Sequence, residues 1–61
     1  MKVEPGQIWK DDSSGIEVEI LTAEFGKPTV ELQEIDNPRP GIISYVDLYQ
    51  NFTFVRWKAK P

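Results

Sequence analysis

Strict alternation of apolar and acidic residues constrains the fold of this chain more than any other feature. Residues 16–20 read IEVEI, the period of two that is typical of a β-strand with one buried and one solvated face. Leu21, Ala23 and Phe25 continue the alternation on the other parity. We therefore expect a β-bulge near residues 20 and 21, which bends the strand and keeps both sets of apolar side chains facing the core.

The rest of the chain divides into short strand-like segments separated by turns. These segments cover residues 7–10, 29–33, 41–46 and 52–57, with Gly- and Pro-rich turns at 26–28 and 36–41. Five short strands predict an all-β sandwich or barrel rather than βαβ units. We expect residues 1–61 to form a single domain, ordered over about residues 5–57, with a basic C-terminal tail at 56–61.

Residues 47–51 interrupt the strand pattern and predict one short helical turn before the last strand. Asp47 is placed to accept hydrogen bonds from the amides that follow it. Asn51 tolerates the left-handed conformation that closes many helices. On the last strand, regular alternation puts Phe52 and Phe54 on one face and Trp57 on the other.

Four features of this order carry a family resemblance. They are a Gly-x-x-Trp opening at 6–9, a bent alternating strand at 16–25, a hairpin partner at 30–35, and a single turn before an aromatic strand at 48–54. In these features the chain resembles the small SH3-like barrels, including short bacterial and phage proteins. The resemblance implies a small five-stranded SH3-like barrel. The chain lacks the Ala-Leu-Tyr-Asp-Tyr stretch of signalling SH3 domains, so the resemblance does not imply binding of PxxP peptides.

The composition excludes most catalytic chemistry. The chain has no histidine and no cysteine, so the commonest general base, thiolate nucleophiles and usual zinc ligands are absent. Residues 11–15, DDSSG, lack the ligand spacing of a calcium loop. We expect a protein that is not an enzyme and that needs no cofactor or metal. No apolar run is long enough for a membrane span or an export signal, which predicts a cytoplasmic protein.

Four aromatic residues are candidate partner-binding residues: Trp9, Tyr45, Tyr49 and Trp57. Exposed aromatic side chains are typical of protein interfaces. Trp9 has a second explanation, because an indole can also seal one end of a thin core. We expect a bacterial or phage accessory protein, a monomer or weak homo-oligomer, that binds another protein through this aromatic face.

An acidic band indicates an alternative function. Residues 11–36 carry eight acidic side chains against one lysine, and Glu17, Glu19 and Glu31 are predicted to form an acidic face. Alternate residues of a strand lie about 6.6–6.8 Å apart, close to the separation of successive phosphates. Such a face suits an inhibitor that mimics nucleic acid. The plainer explanation is a solvated surface that maintains solubility.

The basic tail indicates a third function. Arg56, Lys58 and Lys60 alternate with Trp57 and an alanine, and cations beside an aromatic ring are typical of single-strand nucleic-acid binding. Three cations on an acidic protein predict weak, salt-sensitive binding. Two plainer explanations are a solvated terminus that protects an edge strand, and a tail that folds back onto the acidic hairpin.

Overall fold

The computed structural model describes residues 2–58, which contain five strands and one helix. Strand β1 spans Gln7–Asp11, β2 Glu17–Thr22, β3 Thr29–Glu34, β4 Pro40–Ser44, helix α1 Tyr45–Asn51 and β5 Phe52–Trp57. The strands form one antiparallel sheet in the order β4-β3-β2-β1-β5. The prediction of an all-β fold with five strands and a short helix before the last one is therefore confirmed.

Strand β2 carries the predicted bulge. Ile20 pairs with Leu32 and Thr22 pairs with Glu31, which leaves Leu21 without a partner residue on β3. An extra residue on one strand of an antiparallel pair bends that strand and increases its twist. The bend brings the far end of β2 around the core.

The alternation is nevertheless shorter than the sequence predicts. Ile16 lies before β2 and is exposed, so the strand begins at Glu17. Beyond the bulge, Ala23 packs against the core, but Phe25 is fully exposed at the turn that joins β2 to β3. The prediction that Phe25 faces the core is wrong, because the chain has already entered a turn at that position.

The core lies between one face of the sheet, helix α1 and the segment before β1. Its fully packed members are Val3, Trp9, Val18, Ile20, Val30 and Leu48. Leu48 is the one buried residue of the helix, so α1 contributes a single apolar side chain to the core. Val3 precedes the predicted start of the ordered region at residue 5, and its burial extends the core to the N-terminal segment.

Helix α1 begins and ends differently from the prediction. Ser44 is the N-cap, and its Oγ accepts a hydrogen bond of 3.1 Å from the amide of Asp47. Asp47 is thus inside the first turn, where a carboxylate favours the helix dipole. At the other end, the amide of Phe52 donates to the carbonyl of Leu48. No non-glycine residue within 2–58 has a positive φ, so Asn51 does not adopt the predicted left-handed conformation.

A second irregularity lies in β5. Trp9 pairs with Phe54, and Gln7 pairs with Trp57, because the register shifts by one residue around Val55. Gln7 and Trp9 are two positions apart on β1 and share a face, so their partners Phe54 and Trp57 share that face as well. The prediction that Phe54 and Trp57 lie on opposite faces is wrong, since regular alternation does not include the extra residue.

Candidate functional site

Trp9 is a core residue and not a surface residue. Its side chain is 4% exposed and packs with the apolar cluster between sheet and helix. Strand β1 is central in this part of the sheet, with β2 on one side and β5 on the other. Of the two explanations for Trp9, the structure agrees with core packing, and the expectation that Trp9 contacts a partner directly is wrong.

The indole nitrogen of Trp9 is satisfied by Gln7, a residue that the sequence analysis missed. Gln7 Oε1 accepts hydrogen bonds of 3.1 Å from Trp9 Nε1 and 3.1 Å from the amide of Glu4. Gln7 Nε2 donates to the carbonyl of Lys2 at 2.9 Å. One buried amide therefore ties the N-terminal segment to Trp9, in keeping with the rule that buried polar groups are paired.

A continuous series of ring contacts runs through Trp9, and we call it the aromatic row. Its ring centroids are separated by 6.4 Å for Tyr45 and Tyr49, 6.1 Å for Tyr49 and Trp9, 6.0 Å for Trp9 and Phe54, and 6.4 Å for Phe54 and Trp57. The two tyrosines stack, and the other three contacts are edge-to-face, the arrangements that aromatic pairs prefer. The row brings together all four aromatic residues selected from the sequence, with Phe54 between them.

The centre of the aromatic row is buried, and exposed rings lie on both sides of it. Tyr49 and Trp57 are each 52% exposed, and Tyr45 and Phe54 are half-buried. Tyr49 packs directly against the buried indole of Trp9, and Trp57 packs against Phe54, which in turn contacts Trp9. The result is a preformed apolar surface, which lowers the entropic cost of binding.

A cleft of about 280 Å³ lies beside the tyrosine end of the row. We call it the aromatic cleft; it is lined by residues 2–3, the turn residues 23–27, Tyr45 and Tyr49. Tyr45 spans it, since its hydroxyl donates to the carbonyl of Glu24 at 3.5 Å. The fully exposed Phe25 forms part of its wall. The only sequence signal for this position was an aromatic residue directly before the Gly26 turn.

The rim of the aromatic cleft is charged but locally balanced. Lys27 Nζ lies 2.6 Å from Glu24 Oε2, and both side chains are largely exposed. The hydrogen bond to Glu24 raises the pKa of Lys27 above its ordinary value. Because the charges of Lys27 and Glu24 pair with each other, the aromatic rings are the main feature of the cleft.

The predicted acidic face and the predicted basic tail contact each other. Arg56 Nη2 lies 2.9 Å from Glu17 Oε1, and Lys58 Nζ lies 3.3 Å from Glu19 Oε1. The hydrogen bond from Arg56 holds the pKa of Glu17 below its ordinary value of 4.5, and the same contact raises the pKa of Arg56. We call these four residues the ion-pair bridge.

The two remaining charged candidates are Glu31 and Lys60. Glu31 Oε1 accepts a hydrogen bond of 3.1 Å from the hydroxyl of Thr22. Lys60 lies outside the described residues. The sequence left two plainer explanations for the tail, a solvated terminus and a tail that folds back onto the acidic hairpin. The contacts of Arg56 and Lys58 agree with the second explanation.

A second cleft, of about 430 Å³, lies on the other side of α1 and is acidic. Its carboxylates come from Asp11, Asp12 and Asp47. Asp11 accepts hydrogen bonds of 2.8 and 2.9 Å from the hydroxyl and amide of Ser13, which lower the pKa of Asp11. Asp12 accepts one of 2.6 Å from Thr53. Two of the three carboxylates therefore stabilise the turn after β1 and its junction with β5.

Comparisons with known proteins leave the structure itself as the main guide to the function of this chain. No protein-family model, curated protein or solved structure matches the chain. The resemblance to SH3-like barrels therefore stays a prediction. Within residues 2–58, no group of three or more acidic side chains has a geometry that could hold a metal ion. The same part of the chain has no helix of the length and apolar content that crossing a membrane requires.

Proposed function

We propose that this chain is a non-catalytic, SH3-like interaction module that binds an apolar segment of a partner protein through the rings of Tyr45, Tyr49 and Trp57. The observation that carries the proposal is the aromatic row, in which a buried Trp9 supports Tyr49 directly and Trp57 through Phe54. Tyrosine and tryptophan dominate the binding energy of many interfaces. Here they are exposed and already oriented.

The aromatic cleft supports the same surface. Its volume of about 280 Å³ is at the small end of ligand pockets, so it suits one or two side chains of a partner rather than a drug-sized molecule. Phe25 extends the apolar area toward the β2–β3 turn. The partner chemistry that fits is a segment with a bulky apolar residue for the cleft and flanking apolar area for the rings.

The ion-pair bridge favours the aromatic surface over the two charge-based alternatives. A nucleic-acid mimic needs free carboxylates, but Glu17 and Glu19 are engaged by cations of the same chain. A nucleic-acid binder needs free cations, but Arg56 and Lys58 are engaged by those carboxylates. Both alternatives would have to break these contacts before a partner could bind, and the aromatic surface would not.

Quantitative capture from extracts of the source cells tests the proposal with matched variants. We expect Tyr49→Ala and Trp57→Ala each to weaken capture of the same protein about 30-fold, since interface hot spots cost about 2 kcal/mol or more. Ile42→Ala is the control, because Ile42 is 72% exposed on β4 and lies outside the aromatic row. Glu31→Gln controls for a carboxylate outside the ion-pair bridge.

The outcomes separate the three functions. Equal capture by Tyr49→Ala, Trp57→Ala and Ile42→Ala would contradict the aromatic surface. Loss of capture on Glu31→Gln, with the aromatic variants unaffected, would indicate the acidic alternative. Binding of an oligonucleotide that requires Arg56 and Lys58 would indicate the basic one. Circular dichroism of each variant confirms that the sheet is intact.

A further inference from the structure

The ion-pair bridge spans a whole strand. Arg56 is near the end of β5 and Lys58 directly follows that strand, whereas Glu17 and Glu19 are on β2, and β1 lies between these two strands. The long basic side chains therefore cross over β1 on the face of the sheet opposite to Trp9. Both contacts tie the same part of β5 to a strand that it does not pair with.

Ile8 lies beneath this crossing. It pairs with Glu19 on β2 and with Arg56 on β5, so all three side chains point to the same face. Ile8 is only 5% exposed although it lies outside the apolar core cluster. The aliphatic stems of Arg56 and Lys58 must pass over β1 for their charged ends to reach the carboxylates, and stems in this position can cover an apolar side chain.

Trp57 lies between Arg56 and Lys58 in sequence but on the opposite face. It pairs with Gln7 and contacts Phe54, and its Cε3 lies 3.9 Å from where a side chain on Gly6 would begin. The next amide, that of Lys58, donates a short hydrogen bond of 2.7 Å to the carbonyl of Gly6. The position of the indole is thus coupled through the backbone to the two cations on either side of it.

We propose that Glu17 and Glu19 are positioning residues for Trp57: by holding Arg56 and Lys58 across β1, they keep the end of β5 on the sheet and make the aromatic surface sensitive to ionic strength. The biological consequence rests on the proposed function, but the coupling itself does not. Among the strands of residues 2–58, β5 pairs only with β1, so the last residues of this edge strand open more readily than a central strand does.

The two ion pairs act against this opening. Exposed ion pairs weaken as salt shortens the range of the attraction, to about 3 Å at 1 M. Salt should therefore release the end of β5, and with it Trp57, although no charge of the aromatic surface is involved. A partner that contacts only rings would then bind more weakly at high salt, contrary to the usual behaviour of apolar contacts.

Amide hydrogen exchange tests the coupling without any partner. The measured quantity is the exchange rate of the Lys58 amide relative to that of Tyr45, whose amide donates to Pro28 at 3.0 Å and lies far from the bridge. In Glu17→Gln/Glu19→Gln we expect this ratio to rise about two- to tenfold. Glu24→Gln/Glu31→Gln is the matched control, because it removes two charges and the Lys27–Glu24 ion pair but touches neither Arg56 nor Lys58.

Acrylamide quenching of tryptophan fluorescence provides the second measurement. Trp9 is buried, so the accessible signal is mainly that of Trp57. Quenching should increase in the Glu17→Gln/Glu19→Gln variant, and in the wild type between about 0.05 and 1 M salt. Salt should have no further effect on the variant. Unchanged exchange and quenching in the variant, or an equal rise in the control, would overturn the coupling, whereas the proposed function is judged separately by capture with Trp57→Ala.

Discussion

Trp9 Nε1 donates a hydrogen bond of 3.1 Å to Gln7 Oε1, and both side chains are buried. This contact places the polar edge of the indole inside the protein, on an amide that also holds the N-terminal segment. The ring is then free to use its apolar surface against Tyr49 on one side and Phe54 on the other. Trp9 therefore does not contact a partner itself but supports the rings of the candidate surface from inside the core.

Replacing Gln7 should destabilise the protein, because its side-chain amide is the hydrogen-bond partner of three other polar groups. Gln7→Met keeps a similar volume but leaves the indole of Trp9, the amide of Glu4 and the carbonyl of Lys2 without this partner. Unsatisfied buried groups cost about 1–3 kcal/mol each, so we expect a loss of about 2–4 kcal/mol in the free energy of unfolding. Urea denaturation measures it, with the exposed Gln50→Met as control. A loss no larger than that of the control would contradict the role of the hydrogen bonds.

Truncation of Phe25 should leave the free energy of unfolding almost unchanged, whereas truncation of Trp9 should lower it strongly. Phe25→Ser removes a fully exposed ring, so the free energy of unfolding should change by no more than about 0.5 kcal/mol. Trp9→Ala removes the centre of the aromatic row and should cost about 3–5 kcal/mol. If the aromatic cleft binds a partner, Phe25→Ser should lower capture while stability is retained. A strong destabilisation by Phe25→Ser would mean that the ring packs in solution.

Two glycines provide a matched test of backbone geometry. Gly6 has a φ of +92°, and its amide and carbonyl bond to Ile20 and Lys58, whereas Gly41 has no positive φ. Gly6→Ala should cost about 1–2 kcal/mol from strain in the left-handed region, although there is room for the methyl group. Gly41→Ala should stay within about 0.5 kcal/mol. Thermal unfolding of both variants measures this difference in stability, and equal melting temperatures would contradict strain at Gly6.

The ion-pair bridge should contribute an acid-dependent part of the stability. The pKa of Glu17 is lower in the folded protein than its ordinary value of 4.5, mainly because of the hydrogen bond from Arg56. A lowered pKa stabilises the folded state at all pH values above the unfolded one, and this stabilisation is lost as pH falls through the folded value. The free energy of unfolding should therefore fall below about pH 4.5. Glu17→Gln should flatten part of this decline, and Glu31→Gln should leave that part in place.

The sequence was sufficient to predict the strands that carry a clear rhythm. Alternation in residues 16–20 and the change of parity at Leu21 correctly predicted β2 and its bulge, because both depend on which side chains can face a core. Tyr45, Tyr49 and Trp57 were selected as candidate binding residues, and the structure brings them into one series of ring contacts. The chain contains only a few aromatic residues, so few other choices of an aromatic surface were possible.

The errors have equally physical causes. A one-residue irregularity moves every later side chain to the other face, and nothing in the sequence of β5 marks the extra residue at Val55. The hydrogen-bond partners of Gln7 lie only two to five residues away, but no motif in the sequence marks this glutamine for burial. Phe25 matched the alternation but lies where the strand has ended.

The irregularity at Val55 has a consequence for how this chain can change over time. Because Val55 is the extra residue of β5, deleting it would leave Arg56 opposite Ile8 and Trp57 opposite Gln7 in a regular strand, whereas one more residue at this point would exchange the two sides beyond it. With such an insertion, the Arg56 side chain would point toward the helix and the Trp57 indole toward the face that carries Ile8. Length variation should therefore be tolerated in the 36–39 connection, and loss of Val55 should be tolerated in the last strand, where one added residue would instead disable both surfaces together.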